Sequence, residues 1–181
     1  MRSYASEGRK ECFLMSLYVK DNFFNAGMTE ILNEAGEAVG SVDLKSSFGS
    51  SLDVYDDTGK KVCSGAFRFF SNKWEIADKD EYQIGVLRMR MSFLTKKYEY
   101  DAKERGVYEI LSPAFSKEYE IVDESGRTVA GFRRISGWLQ AGAYHLENNS
   151  GRLSDWELIA VVMGVHAIQK RAKQSASSAS T

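Results

Sequence analysis

The chain has 181 residues, 43% hydrophobic and 27% charged, with a formal net charge of −1 at pH 7. That length suits one domain with a sizeable core, and the composition is ordinary for a soluble globular protein. A charge near zero excludes a global pull toward nucleic acid, and two cysteines, Cys12 and Cys63, without CxxC spacing exclude a disulfide framework.

The first segment, residues 1–11, lacks the apolar stretch of a signal peptide and reads as an N-terminal arm. With Cys12 and Cys63 taken as free thiols, a cytoplasmic, reducing location is expected. Alternation of apolar and polar residues then predicts about twelve strands, at 12–19, 28–33, 38–44, 51–55, 61–69, 72–77, 83–91, 96–101, 106–111, 117–123, 127–135 and 142–147. In "IGVLRMRMSF", for example, Leu87, Met89, Met91 and Phe93 share one face, and Arg88 and Arg90 the other. The single proline, Pro113, falls between two strands, where a missing N–H does no harm.

These strands form a repeat. "EILNEAGEAVGSV", "LDVYDDTGKKVCSGAF", "WEIADKDEYQIGVL", "YEYDAKERGVYEIL" and "YEIVDESGRTVAGF" each place a polar turn between two β-type runs. Four carry a turn glycine, Gly36, Gly59, Gly106 and Gly126, and the third has "DKDE" instead. Asp and Glu can bond turn amides, and glycine accepts the positive φ of a tight hairpin.

The last element is a helix at about 154–171. Ser154 and Glu157 have the spacing of a capping box, in which Glu157 would reach back to the Ser154 N–H. Leu153 and Leu158 occupy the staple positions, and Lys170, Arg171 and Lys173 suit the negative end of the dipole. From Leu158 to Ile168 the helix is apolar or small all round, broken only by His166. Such a helix either spans a membrane or lies at the centre of a core. At 1.5 Å per residue this stretch covers only about 16 Å, roughly half a hydrocarbon layer, so it is read as buried and not transmembrane. Gly164 within it implies a close neighbour. The tail, 173–181, is small and polar and is expected to be disordered.

Strands and helix fit one solution. About twelve antiparallel strands close or split, and a closed barrel of that size is too wide for its own side chains to fill. A helix apolar on every side fills it. The expected fold is therefore mainly β, a closed antiparallel barrel of about twelve strands enclosing a hydrophobic C-terminal α-helix. A lipocalin-type carrier is disfavoured, because its helix packs outside and its barrel stays hollow.

The hairpins "LDVYDDTGKKV", "WEIADKDEYQIGVLR" and "YEIVDESGRTVAGFRR", then "GAYHLEN", then "DWELIAVVMGVHAIQ", resemble the tubby C-terminal-like superfamily. That group includes LURP-one-related proteins, phospholipid scramblases and small bacterial tubby-like proteins. The resemblance covers about residues 12–172 and implies a bare barrel with a central helix. For tubby domains it implies phosphoinositide binding through basic residues. The cysteine cluster, proline-rich arm and calcium segment of scramblases have no counterpart here. For LURP-one-like members it implies no defined activity and no cofactor.

Candidate sites follow from charge. Arg88, Arg90, Lys96 and Lys97 gather in one hairpin region and Arg133 and Arg134 after another. They could bind an anionic headgroup, against the plainer reading of a solvated strand face. His145 and His166 lack partners at metal-ligand spacing, and His166 is expected near a barrel mouth with a ring nitrogen bonded locally. "DVYDDTG" has calcium-loop flavour but reads as a hairpin turn. Phe67, Phe69, Phe70 and Trp74 are expected mostly in core or wall, and Trp138 and Leu139 on a rim turn. No nucleotide-binding or nucleophile-elbow motif occurs. The expectation is a non-enzymatic domain binding a membrane surface, anionic phospholipid or protein partner on its exterior. The alternatives are an enzyme with its site at a barrel mouth, or a scramblase-like lipid function.

Overall fold

Twelve strands run up and down in sequence order without a crossover and close on themselves through β1 and β12. A computed structural model describes residues 16–45, 50–91, 96–112, 117–136 and 142–178. The strands are β1 Leu17–Lys20, β2 Gly27–Leu32, β3 Ala38–Leu44, β4 Ser51–Asp56, β5 Lys61–Phe67 and β6 Trp74–Asp78. They continue as β7 Gln83–Met91, β8 Lys96–Asp101, β9 Val107–Leu111, β10 Tyr119–Val122, β11 Thr128–Ile135 and β12 Ala143–Asn148, before helix α1, Asp155–Ser178. Pairing is antiparallel throughout, and closure sets Leu17 opposite Leu146 and Val19 opposite Tyr144.

The predicted barrel and its central helix are both present. Inward residues alternate along each strand, as in Leu17 and Val19, Leu52 and Val54, Trp74 and Ile76, and Tyr98 and Tyr100, all buried. They meet α1, whose residues Leu158 to Val165 are buried on every side. Closure leaves no unpaired sheet edge, and the helix occupies the space that twelve strands would otherwise enclose.

Turn chemistry explains the hairpin register. The carboxylates of Asp56, Asp78 and Asp123 each accept backbone N–H groups two and four residues on, at 2.9–3.1 Å. Gly59 and Gly126 then take positive φ, +76° and +79°. In the hairpin without glycine, Glu81 takes the same conformation at φ +63°. The "DVYDDTG" segment is thus a turn: Asp56 is engaged by Thr58 and Lys60.

Two expectations about the helix need correction. Ser154 does cap it, its Oγ accepting the Glu157 N–H at 3.2 Å. The Glu157 side chain does not reach back, however. It turns into the barrel, where the Tyr100 hydroxyl and Arg105 hold it. The helix also continues to Ser178, through much of the segment expected to be a disordered tail. Lys173, Gln174 and Ala176 favour helix, and Ser175 Oγ donates back to the Arg171 carbonyl at 3.1 Å.

Because strands alternate direction, their connections alternate between the two barrel ends. The turns after β2, β4, β6, β8 and β10 surround the start of α1, here the N-mouth. Strands β1, β3, β5, β7, β9 and β11 finish at the end from which the helix emerges, the C-mouth.

Candidate functional site

Buried side chains of wall and helix fill the interior among the described residues, which directs attention to the outside and the mouths. At the N-mouth, Glu157 is only 2% exposed and receives Arg105 at 2.5 and 2.8 Å. Burial, and then the charge of Glu157, push the Tyr100 hydroxyl well above its ordinary pKa, so it stays a donor. Arg105 also donates to the Ile84 carbonyl at 2.7 Å and so ties α1 to two hairpins. A surface groove of about 510 Å³ lies beside it, walled by Arg105, Arg127, Arg152 and Asp123. Arg127 is held by Asp123 at 3.0 Å. Sequence reasoning missed this ion pair, because Arg105 and Glu157 are far apart in the chain and Glu157 carried a plausible local role.

The cations singled out from sequence sit toward the C-mouth. Arg88 and Arg90 occupy the last part of β7, Lys96 and Lys97 begin β8, and Arg133 and Arg134 come near the end of β11. Pairing places Arg88 opposite Glu99 and Arg90 opposite Lys97. Arg88 Nε donates to Glu99 at 2.9 Å, and Arg90 Nε lies 2.6 Å from the other oxygen of that carboxylate. Burial pushes the Glu99 carboxyl up, but hydrogen bonds from Arg88 and then Arg90 outweigh it and hold the group below its ordinary value. Lys97 pairs with Glu109 at 2.7 Å, and Arg133 with Glu147 at 2.9 Å. The Arg134 backbone N–H donates to the Glu118 carboxylate at 3.3 Å. The Lys96 side chain lies outside the described residues. Arg90 and Lys97 line a shallow outer groove of about 330 Å³, and Arg133 and Arg134 stand apart from them across β9 and β10.

The histidines are not ligands of a common centre. His145 stacks on Tyr18, with centroids 4.8 Å apart. His166 does lie toward the C-mouth, with its ring 4.4 Å from that of Phe24, but no described residue supplies the expected local hydrogen bond. Burial, with Lys117, Lys170 and Lys173 adding to it, lowers its pKa to about 4. Cys63 faces the interior, and burial pushes its thiol up to about 12, which makes it unreactive. Cys12, Trp138 and Leu139 lie outside the described residues. Among the described residues, no group of three His, Cys, Asp or Glu is placed to hold a metal ion.

One expectation about aromatics fails. Strand β5 stops at Phe67 and β6 starts at Trp74, so Phe69 and Phe70 fall in the connecting tip. They are 84% and 93% exposed, while Trp74 is fully buried. Alternation alone could not separate a strand phenylalanine from a tip phenylalanine, because the turn here is made by Phe70 itself at φ +55°.

No described helix is long and apolar enough to cross a membrane. No curated protein matches the chain. A crystal structure of a protein from Arabidopsis thaliana is similar in fold, with a TM-score of 0.53 and 13% identity over 83% of this chain and 88% of that one. The family model described as LURP-one-related matches residues 15–164, which take in every strand and the first part of the helix. The chain belongs to the LURP-one-related family.

Proposed function

We propose that this protein is a non-catalytic binding module of the cytoplasm that docks its C-mouth on an anionic phospholipid surface. The observation that carries the reading is positional. Arg88, Arg90, Lys96, Lys97, Arg133 and Arg134 all stand toward one end of the barrel. The turns of the opposite end are rich in acids, among them Asp56, Asp78, Asp80, Glu81 and Asp123. A barrel polarised in this way orients on a negative surface, each nearby cation contributing about 1 kcal/mol. The carboxylate partners do not forbid this. Exposed pairs such as Arg133 with Glu147 are worth only about 0–1 kcal/mol. Arg88 and Arg90 share Glu99, so that cluster keeps a positive excess. The buried side chains of wall and helix that fill the interior among the described residues support the non-catalytic part of the reading.

Vesicle co-sedimentation tests it. The protein should pellet with phosphatidylcholine vesicles containing phosphatidylserine or a phosphoinositide, and remain in solution with phosphatidylcholine alone. Binding should weaken at high salt and in R88E/R90E/K97E and R133E/R134E. Equal binding by the wild type and both variants, or none at all at low salt, would overturn the reading.

A further inference from the structure

The tip between β5 and β6 is built to be rigid and apolar at once. The Arg68 N–H donates to the Lys73 carbonyl at 2.9 Å, and the Ser71 N–H to the Arg68 carbonyl at 3.0 Å. Phe70 closes the turn at φ +55°, a region unfavourable for a residue with a side chain. The result is two almost fully exposed rings whose centroids lie 4.2 Å apart. They cover each other little and form one apolar point.

The base of the tip is anchored. Phe67 meets the buried Trp74 edge to face, with centroids 5.2 Å apart. The Arg171 guanidinium lies over the outer side of Phe67 at 4.6 Å and donates to the Ser71 carbonyl at 3.2 Å. The emerging end of α1 therefore braces the hairpin. Around the two rings stand Arg68, Lys73 and Arg171. Arg68 is 3.6 Å from Glu75, and the exposed Lys73 has no ion-pair partner among the described residues.

We infer that the Phe69–Phe70 hairpin is a membrane-inserting wedge, its rings entering the interface of an anionic bilayer while Arg68, Lys73 and Arg171 meet the headgroups. This deepens the docking reading above and rests on it, because the rim cations bring the same end of the barrel to the surface. Aromatic rings favour the headgroup level, and a cationic collar behind them matches a negative layer above an apolar one. The charge pattern selects this occupant over a second copy of the chain. Two tips meeting would set Arg68, Lys73 and Arg171 against their like. The two water-exposed rings, Phe70 also held at an unfavourable φ, gain nothing within the isolated barrel, and both gain in the interface.

The full chain carrying F69S/F70S provides the test, with R88E/R90E/K97E in parallel and vesicles of phosphatidylcholine and phosphatidylserine. Since both rings are exposed, F69S/F70S should keep the wild-type circular dichroism and melting temperature. Its vesicle affinity should fall by roughly tenfold or more, and its salt-resistant binding should disappear. In a separate F70W protein, tip emission should shift blue on vesicles and be quenched by lipids brominated high on the acyl chain. Wild-type affinity in F69S/F70S, with release by the charge reversals, would overturn insertion and leave rim docking intact. Loss in F69S/F70S with full binding by the charge reversals would support insertion and overturn the rim reading. A dimer in lipid-free solution that F69S/F70S dissolves would assign the tip to a second copy and overturn the membrane proposal. Absence of wild-type binding to either vesicle would overturn both.

Discussion

Gly164 and Trp74 are in direct contact: a Cβ built on Gly164 would sit 2.5 Å from Cδ1 of the Trp74 indole. A Cβ on Gly65 would come 2.6 Å from Nε1 of the same ring. The largest fully buried side chain among the described residues is thus clamped between a helix glycine and a wall glycine. Gly164→Ala raises helix propensity by about 1 kcal/mol, yet the indole has nowhere to go and overpacking costs about 1–3 kcal/mol. The expected outcome is net destabilisation of G164A in urea unfolding. Equal or greater stability would show that the indole moves freely.

The pair of Arg105 with Glu157 predicts a second pattern. Removing Arg105 strands Glu157 in a dry site, whereas removing Glu157 leaves Arg105 partly in water. R105M should cost about 3 kcal/mol and E157M less, because Arg105 reaches solvent, whereas R105M/E157M should cost less than the sum of its single changes. Chemical denaturation of the four proteins closes this cycle. Additive losses would mean that the two residues act independently.

Position along α1 decides how much damage a change does. Val162 is fully buried, and Val162→Asp places an unpaired charge in the core. That variant should be unfolded or insoluble, as should a chain ending before Ser154. A chain ending at Lys173 removes, among the described residues, only exposed positions of the last helical turns, and should lose less than about 1 kcal/mol. Solubility and thermal melting separate these outcomes.

His166 predicts the behaviour in mild acid. Its folded pKa is about 4 against an ordinary 6.5, so between those values the unfolded chain binds a proton that the folded one does not. Its contribution is fully present above about pH 6.5 and is lost as the pH falls toward 4. The loss is at most about 3 kcal/mol, and less to the extent that water reaches the ring. Melting temperatures of wild type and H166Q, followed from pH 7 to pH 4.5, should converge as the pH falls. Parallel curves would remove His166 from the acid response.

The barrel was legible because three signals agreed. Alternation located β2 to β12 to within two residues and β1 over its described part, acidic turns with glycine marked four of the hairpins, and the all-apolar stretch from Leu158 to Ile168 demanded a surrounding wall. What escaped was whatever depends on partners distant in sequence. Nothing local in "SDWE" says that Glu157 will meet Tyr100 and Arg105 instead of its own cap. Nothing in "AFRFFSNKW" says that the chain will reverse at Phe70 and leave two phenylalanines in water. The candidate cations were legible as residue types. Their gathering toward one mouth was not, because that depends on which way each strand runs.

Closure of β1 onto β12 has a consequence for biosynthesis. Leu17 waits for Leu146, and the lumen waits longer still, for the residues up to Ile168. Every wall strand leaves the ribosome before the segment that fills it. The nascent chain must therefore carry a dozen half-apolar strands with no interior to pack against. Its long-range closure makes folding slow and aggregation-exposed at that stage. The barrel can commit to its final form only after α1 has cleared the exit tunnel, so chaperone demand should peak just before that moment.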